Sequence, residues 1–211
     1  MKANNAPFAL IVCALAVIGC RTGENKEIDA VTGASLQDTA IDTLNNNQRN
    51  NVMDTEMPKS LIIVHSYHSG STGKVADAIG GVLNSEIKQP QEMNSRKVQD
   101  YELVGFGSGI YSEKHSDSIL ALAGELPVVN GKKAFIFSTS SIVGEEKMAK
   151  DHRVLKEILL SKGYRIAGEF HCLGYNRNSF LKILGGINKG RPNKEDLKNA
   201  ERFALELKKE L

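Results

Sequence analysis

The residues of this chain whose types and spacing suit chemistry best run from Ser66 to Gly73, Ser-Tyr-His-Ser-Gly-Ser-Thr-Gly. Ser66, Ser69, Ser71 and Thr72 supply hydroxyls, and Gly70 and Gly73 let the backbone come close to a ligand. His68 either donates to an anion or is a solvated loop histidine. Set before a helix, such a loop suits a phosphate, because the helix N-terminus adds unpaired N–H groups and a favourable dipole. The spacing is neither G-x-x-x-x-G-K-[ST] nor G-x-G-x-x-G, so a nucleoside triphosphate or dinucleotide site is not supported. The plainer alternative is a strand–helix turn with Ser71 or Thr72 as N-cap. Two later stretches match the first in kind: Gly107-Ser108-Gly109-Ile110-Tyr111 and Ser138-Thr139-Ser140-Ser141.

Positioning these stretches requires strands before them and helices after them. Leu61 to Val64 is a short, largely β-branched apolar run that reads as a buried strand. From Lys74 onward Val75, Ala76, Ile79, Val82 and Leu83 recur at helical spacing. Pro90 to Met93 is expected as a short edge strand, and Ser95 to Gln99 leaves little room for a full second helix. Strands are expected at Glu102–Phe106, Lys133–Phe137 and Tyr164–Cys172. Helices are expected over about His115–Leu126, Asp151–Lys162 with Gly163 as its stop, and Lys194–Leu211. Alternating strands and helices indicate a parallel sheet covered on both faces. In such sheets a ligand sits beyond the carboxyl ends of the strands, where the three polar stretches meet.

Composition is that of one globular domain with an appendage: of 211 residues, 41% are hydrophobic and 25% charged. A net charge of +2 and the absence of Trp give no footing for nucleic-acid binding. The first segment, 1–19, carries Lys2 and the apolar run Pro7 to Gly19, too short to span a bilayer comfortably and suited to a signal-peptide core. Val17-Ile18-Gly19-Cys20 resembles the lipobox of bacterial lipoproteins, which implies cleavage before Cys20 and lipid on its thiol and new amino terminus. An uncleaved anchor or a plain secretory signal is the alternative. Cys172 is then the one cysteine left, so no intramolecular disulfide and no zinc or iron–sulfur spacing remains. Residues 20–58, rich in Asn, Asp, Thr and Gly, read as a flexible tether whose r.m.s. reach is on the order of 35 Å. Within it, Asp29-Ala30-Val31-Thr32-Gly33-Ala34-Ser35 resembles the D-x-x-[ST]-G-A-[ST] motif at which bacterial domains receive covalent FMN. That resemblance implies Ser35 as acceptor and a flavin transferase as partner. Ser stands where Thr is commoner, and the domain that usually surrounds the motif is missing.

Over residues 59–211 the pattern resembles the flavodoxin-like family. Ser69-Gly70-Ser71-Thr72 lies where flavodoxins keep T-G-N-T around the FMN phosphate, Gly107 to Tyr111 is similar to the second flavin loop, and Ser138-Thr139-Ser140 occupies the third. The resemblance implies a single-domain, doubly wound five-stranded α/β sheet of order 2-1-3-4-5. It also implies non-covalent FMN, with Ser66, His68, Ser69, Gly70, Ser71 and Thr72 at the phosphate. Ser108, Gly109, Ile110 and Tyr111, and then Ser138, Thr139, Ser140 and Ser141, would border the ring. Ser71 replaces the usual Asn, and Tyr111 is the candidate to stack on the flavin. His65 is read as structural, and His115, His152 and His171 show no metal-ligand spacing. The expected function is a lipid-anchored, extracytoplasmic electron carrier exchanging electrons with redox proteins or a membrane quinone system. The alternative is an FMN-dependent NAD(P)H:quinone or substrate reductase.

Overall fold

The computed structural model describes residues 60–67, 70–177 and 185–209. The expected signal segment and tether, with Cys20 and Ser35, lie outside the described residues, as do His68 and Ser69 of the first polar loop.

The chain begins with strand β1 (Ser60–His65) and helix α1 (Ser71–Leu83), whose apolar residues Val75, Ala76, Ile79 and Leu83 are all buried. A short strand β2 (Glu86–Lys88) and two 3-10 turns, Pro90–Glu92 and Ser95–Asp100, lead to β3 (Leu103–Tyr111). Next come β4 (Lys114–His115), α2 (Asp117–Glu125), β5 (Lys133–Ser140), α3 (Glu145–Ser161), β6 (Arg165–Leu173) and α4 (Lys194–Lys209). Among the described residues five strands are parallel in the order β2-β1-β3-β5-β6, the order expected from the sequence once the extra strand is set aside. That extra strand, β4, pairs antiparallel with the end of β3.

Alternation along the strands sends their side chains to two cores. Leu61, Ile63, Val104, Phe106 and Ile136 pack with Ile119 and Leu122 of α2 and Leu155 and Leu159 of α3. Ile62, Val64, Phe135 and Phe137 pack with Val75 and Ile79 of α1 and Ala200 and Ala204 of α4. Each buried Val, Leu, Ile or Phe side chain among them contributes about 1.5–3 kcal/mol. On the second face Phe135 and Phe137 lie across Gly105 and Gly107, where an added Cβ would meet ring carbons at 2.2 and 2.1 Å. Only glycine leaves room for the two rings there.

Three expectations are corrected. The edge strand is Glu86–Lys88, not 90–93, because Pro90 lacks an N–H and instead opens a 3-10 turn closed by the Gln89 N–H to Glu92 carboxylate bond of 2.7 Å. β3 and β5 run on to Tyr111 and Ser140, so most of the second and third polar stretches are strand and not loop. His115 belongs to the β3–β4 hairpin and not to a helix. Its two-residue turn, Ser112–Glu113, has positive φ at both positions (49° and 62°), the geometry that matches the twist of a tight hairpin. The expected stop at Gly163 holds: its φ is 82°, and Gly163 and Tyr164 return N–H bonds to Leu160 and Leu159.

Candidate functional site

At the carboxyl ends of β1, β3, β5 and β6 lies a cleft walled by Tyr67, Ser71, Thr72, Gly109–Tyr111, Thr139–Ser141 and Gly174–Arg177. Its floor is set by α1. Gly70 turns into the helix at φ 67°, a left-handed conformation that glycine adopts without strain. The Gly73 N–H donates to Ser66 Oγ at 2.9 Å, so Ser66 serves as a cap for the first turn. No acidic residue stands in that turn, which leaves the positive end of the helix dipole uncompensated toward the cleft.

The hydroxyls around α1 are held by one another. Thr72 Oγ1 and Thr139 Oγ1 are 2.7 Å apart and buried. Ser71 Oγ accepts from the Tyr175 N–H at 3.1 Å and reaches the Arg191 carbonyl at 3.3 Å. This close seam needs Gly174, where a Cβ would stand 2.9 Å from Thr139 Cβ. The rim is aromatic. Tyr67 is 64% exposed, Tyr111 is half-buried, and burial with neighbouring Tyr67 raises the Tyr111 hydroxyl above its ordinary range. Tyr175 donates its hydroxyl to the Gly185 carbonyl at 2.8 Å and carries the Arg177 guanidinium 5.9 Å from its ring centre.

Of the residues singled out from the sequence, Ser71, Thr72, Gly109, Ile110, Tyr111, Thr139, Ser140 and Ser141 are brought together on the cleft wall, with Ser66 and Gly70 shaping its floor. Ser108 and Ser138 are not on that wall. Period two in the lengthened strands turns both to the α2–α3 face, where they are in register with each other and essentially unexposed. Ser108 Oγ is 3.0 Å from His115 Nδ1 and accepts from the Ser116 N–H at 3.0 Å. Ser138 Oγ is 2.8 Å from His152 Nε2. His152 Nδ1 in turn lies 3.1 Å from Glu169 Oε2, and Lys156 donates to the same carboxylate. Those two bonds hold the Glu169 carboxyl down to about 2, and burial pushes the His115 imidazole down to about 3.

Sequence reasoning left out the fourth wall, Gly174 to Arg177, although the rule that found the other three applies to the end of β6 as well. It also left His115, His152 and Glu169 apart, since only the packing of α3 against β5 and β6 joins them. Cys172 is buried, with its thiol pushed up to about 12 by burial, so it stays neutral and inert.

The cleft suits FMN on two grounds: a helix N-terminus free of acidic residues for a phosphate, and tyrosines at the rim for a planar ring. A flavodoxin-domain sequence family matches residues 62–174. An uncharacterized protein of Methanocaldococcus jannaschii is 40% identical over 151 residues, covering 72% of this chain and 99% of that protein. Among solved structures, oxidised flavodoxin 2 of Bacillus cereus is similar, with a TM-score of 0.55, 17% identity, and coverage of 72% of this chain and 99% of its own. A flavodoxin of Streptococcus pneumoniae TIGR4 has a TM-score of 0.55 and 15% identity, over 72% of this chain and 99% of its own.

Proposed function

Because the chain belongs to the flavodoxin domain family, we propose that its cleft binds FMN without a covalent bond and that the protein carries electrons. One observation supports this above others: the Gly70 turn into an acid-free α1 N-terminus opens directly onto a tyrosine-rimmed cleft. Bound there, FMN supplies the redox chemistry. The chain's own residues do the rest. The first turn of α1, with Ser71 and Thr72, receives the phosphate, and His68 and Ser69 belong to the same loop in sequence. Tyr67 and Tyr111 flank the ring, and Thr139 to Ser141 border it. No side chain is required as acid, base or nucleophile, and on an extracytoplasmic protein soluble NAD(P)H is scarce, which favours a carrier over a reductase. Purified flavin-loaded protein should therefore turn over NADH and a quinone slowly, and rapid turnover would favour the reductase.

The reading extends to the segments before β1. Cys20 is the lipid attachment site on a bacterial membrane, outside the cytoplasm. Residues 20–58 tether the domain to it, and Ser35 carries a second FMN as a phosphoester installed by a flavin transferase. What supports this is the run Val17 to Cys20 and the motif Asp29 to Ser35. Redox proteins or a membrane quinone system would then exchange electrons with both flavins. The intact mass and visible spectrum of protein purified from its host's membranes report lipid, covalent flavin and bound FMN together. A soluble, colourless protein of unmodified mass would reject all three. For Ser35 alone, in-gel flavin fluorescence after co-expression with a transferase should vanish in Ser35→Ala and survive in Ser60→Ala.

A further inference from the structure

Directly beneath the cleft lies a layer that the binding of FMN does not use. His65, Ser108, Ser138 and His171 form one row in register across β1, β3, β5 and β6. His115 and His152 sit against it with ring centres 5.1 Å apart, so four of the chain's five histidines share this level. Only one residue separates the layer from the cleft: Ser138 faces His152, and Thr139 lines the wall above.

His152 is the pivot. It is fully buried, bonded through Nε2 to Ser138 and through Nδ1 to Glu169. A carboxylate accepts only, so it takes the Nδ1–H, and Nε2 is then the bare nitrogen that accepts the Ser138 hydroxyl. Serine, histidine and carboxylate at these distances have the layout of a hydrolytic triad. Ser138 is only 1% exposed and sits within a strand, so no substrate reaches it and that role is excluded. Nε2 can nevertheless take up a proton: the Ser138 hydroxyl turns to accept, and the Glu169 anion balances the imidazolium. Solvent reaches the far end of this chain through a second opening at the β6 edge, lined by Met148, Lys156, Tyr164 and Glu169.

We propose that His152 is a positioning residue for electron transfer, binding one proton when an electron enters the cleft and so offsetting the added negative charge. This rests on the FMN reading above. The electron comes from an external one-electron donor and the proton from water, added at Nε2. No bond to the flavin forms or breaks. The charged and titratable groups around His152 are Lys147, Asp151 and Lys156 on α3, Glu169 and His171 on β6, and His115 on β4. His115 stays neutral in the folded state and takes no part. Glu169, held as an anion, is the counter-charge that makes an imidazolium tolerable here.

The test uses the full chain loaded with FMN, comparing wild type with His152→Gln and Glu169→Gln. Reduction potentials are measured from pH 5 to 8, where imidazoles ordinarily titrate. In parallel, ring nitrogens are followed by 15N NMR in the oxidised and reduced wild type. One proton per electron makes reduction tenfold harder per pH unit, about 59 mV. The flavin's own protonation contributes alike to every variant, so the difference in slope carries the result. Wild type should show the steeper slope, His152→Gln should lose it, and the His152 Nε2 signal should move to its protonated position on reduction. Equal slopes in all three proteins, or a neutral His152 ring in the reduced protein, would overturn the inference while leaving FMN binding intact. Failure of the chain to take up FMN, evident at the loading step as colourless protein, would overturn both.

Discussion

Ser138 and Thr139 are neighbours on β5, yet one hydroxyl is sealed beneath the cleft against His152 and the other lines it against Thr72. The same division holds on β3, where Ser108 is closed in with His115 and Gly109 opens to the cleft. The upper layer is small and polar, buried at Ser71, Thr72 and Thr139 and half-buried at Gly109 and Ser140, and is held by hydroxyl pairs and by glycines that bring the chains close. The lower layer is buried at Ser108, Ser138, His115 and His152, and beside these stand an anion and a cation, Glu169 and Lys156. Removing a partner from the lower layer strands a buried group that carries or balances a charge, whereas removing one hydroxyl of the upper layer strands a neutral group at smaller cost. On the function proposed above, ligand contact falls to the first layer and its support to the second.

Breaking the lower layer should have the largest effect. His152→Ala leaves Ser138 without its partner, Glu169 with Lys156 alone, and a cavity between α3 and β5. A loss of about 3 kcal/mol is expected, read as a lower urea midpoint at unchanged slope. Thr139→Val, in the upper layer, removes the 2.7 Å bond to Thr72 at almost constant volume and should cost about 1 kcal/mol. Its FMN affinity should fall by more than its stability does. If both substitutions cost the same, the division into two layers is wrong.

Acid sharpens the contrast without any substitution. The folded values of His115 (about 3, ordinarily 6.5) and Glu169 (about 2, ordinarily 4.5) are both lowered. The unfolded chain therefore binds more protons than the native one below these ordinary values, and stability falls as pH falls. The loss due to His115 begins near pH 6.5 and runs to about 3; that due to Glu169 begins near 4.5 and runs to about 2. Urea midpoints at pH 7, 5 and 3.5 should drop in that order. Glu169→Gln should flatten the step below 4.5, and a wild-type midpoint insensitive to pH would contradict the assignment.

The smallest effect is expected at the hairpin that carries Tyr111 to the rim. Ser112 and Glu113 hold positive φ without a glycine, so replacing them by Asn-Gly should stabilise the domain by about 0.5–1 kcal/mol. The exposed Glu113–Lys150 ion pair is lost in that variant and contributes little. A Tm that falls would show that the pair, and not the turn, sets the hairpin.

The same contrast explains how much was legible in the sequence. The apolar runs of β1, β3, β5 and β6, and the periodicity of α1, stand out because burial selects residue types over whole segments. The cleft residues Ser71, Thr72, Thr139 and Ser140 follow from the rule that polar groups gather at strand ends. What was not legible is where a strand ends. Gly107 to Tyr111 and Ser138 to Ser140 carry loop-like residues but stay in the ladder, because neighbouring strands pair with them. One added residue of strand decides whether a serine faces ligand or core, so Ser108 and Ser138 fell on the other side. The β4 hairpin was missed because Ser-Glu lacks the turn signature that its φ angles call for. The His152–Glu169 pair joins residues 17 apart on different elements, which no local pattern reports.

On the proposed function, the end of α1 holds a phosphate and the tyrosine rim holds a ring. Titrating the flavin-free protein with FMN and with riboflavin, following flavin fluorescence, tests it directly, since the two ligands differ only in the phosphate. FMN should bind at least 100-fold more tightly than riboflavin, as a charge-assisted phosphate contact of roughly 3 kcal/mol requires. That gap should close when Ser71 and Thr72 are both replaced by Glu. Equal affinity for the two ligands in the wild type, or no binding of either, would rule out a phosphate at α1.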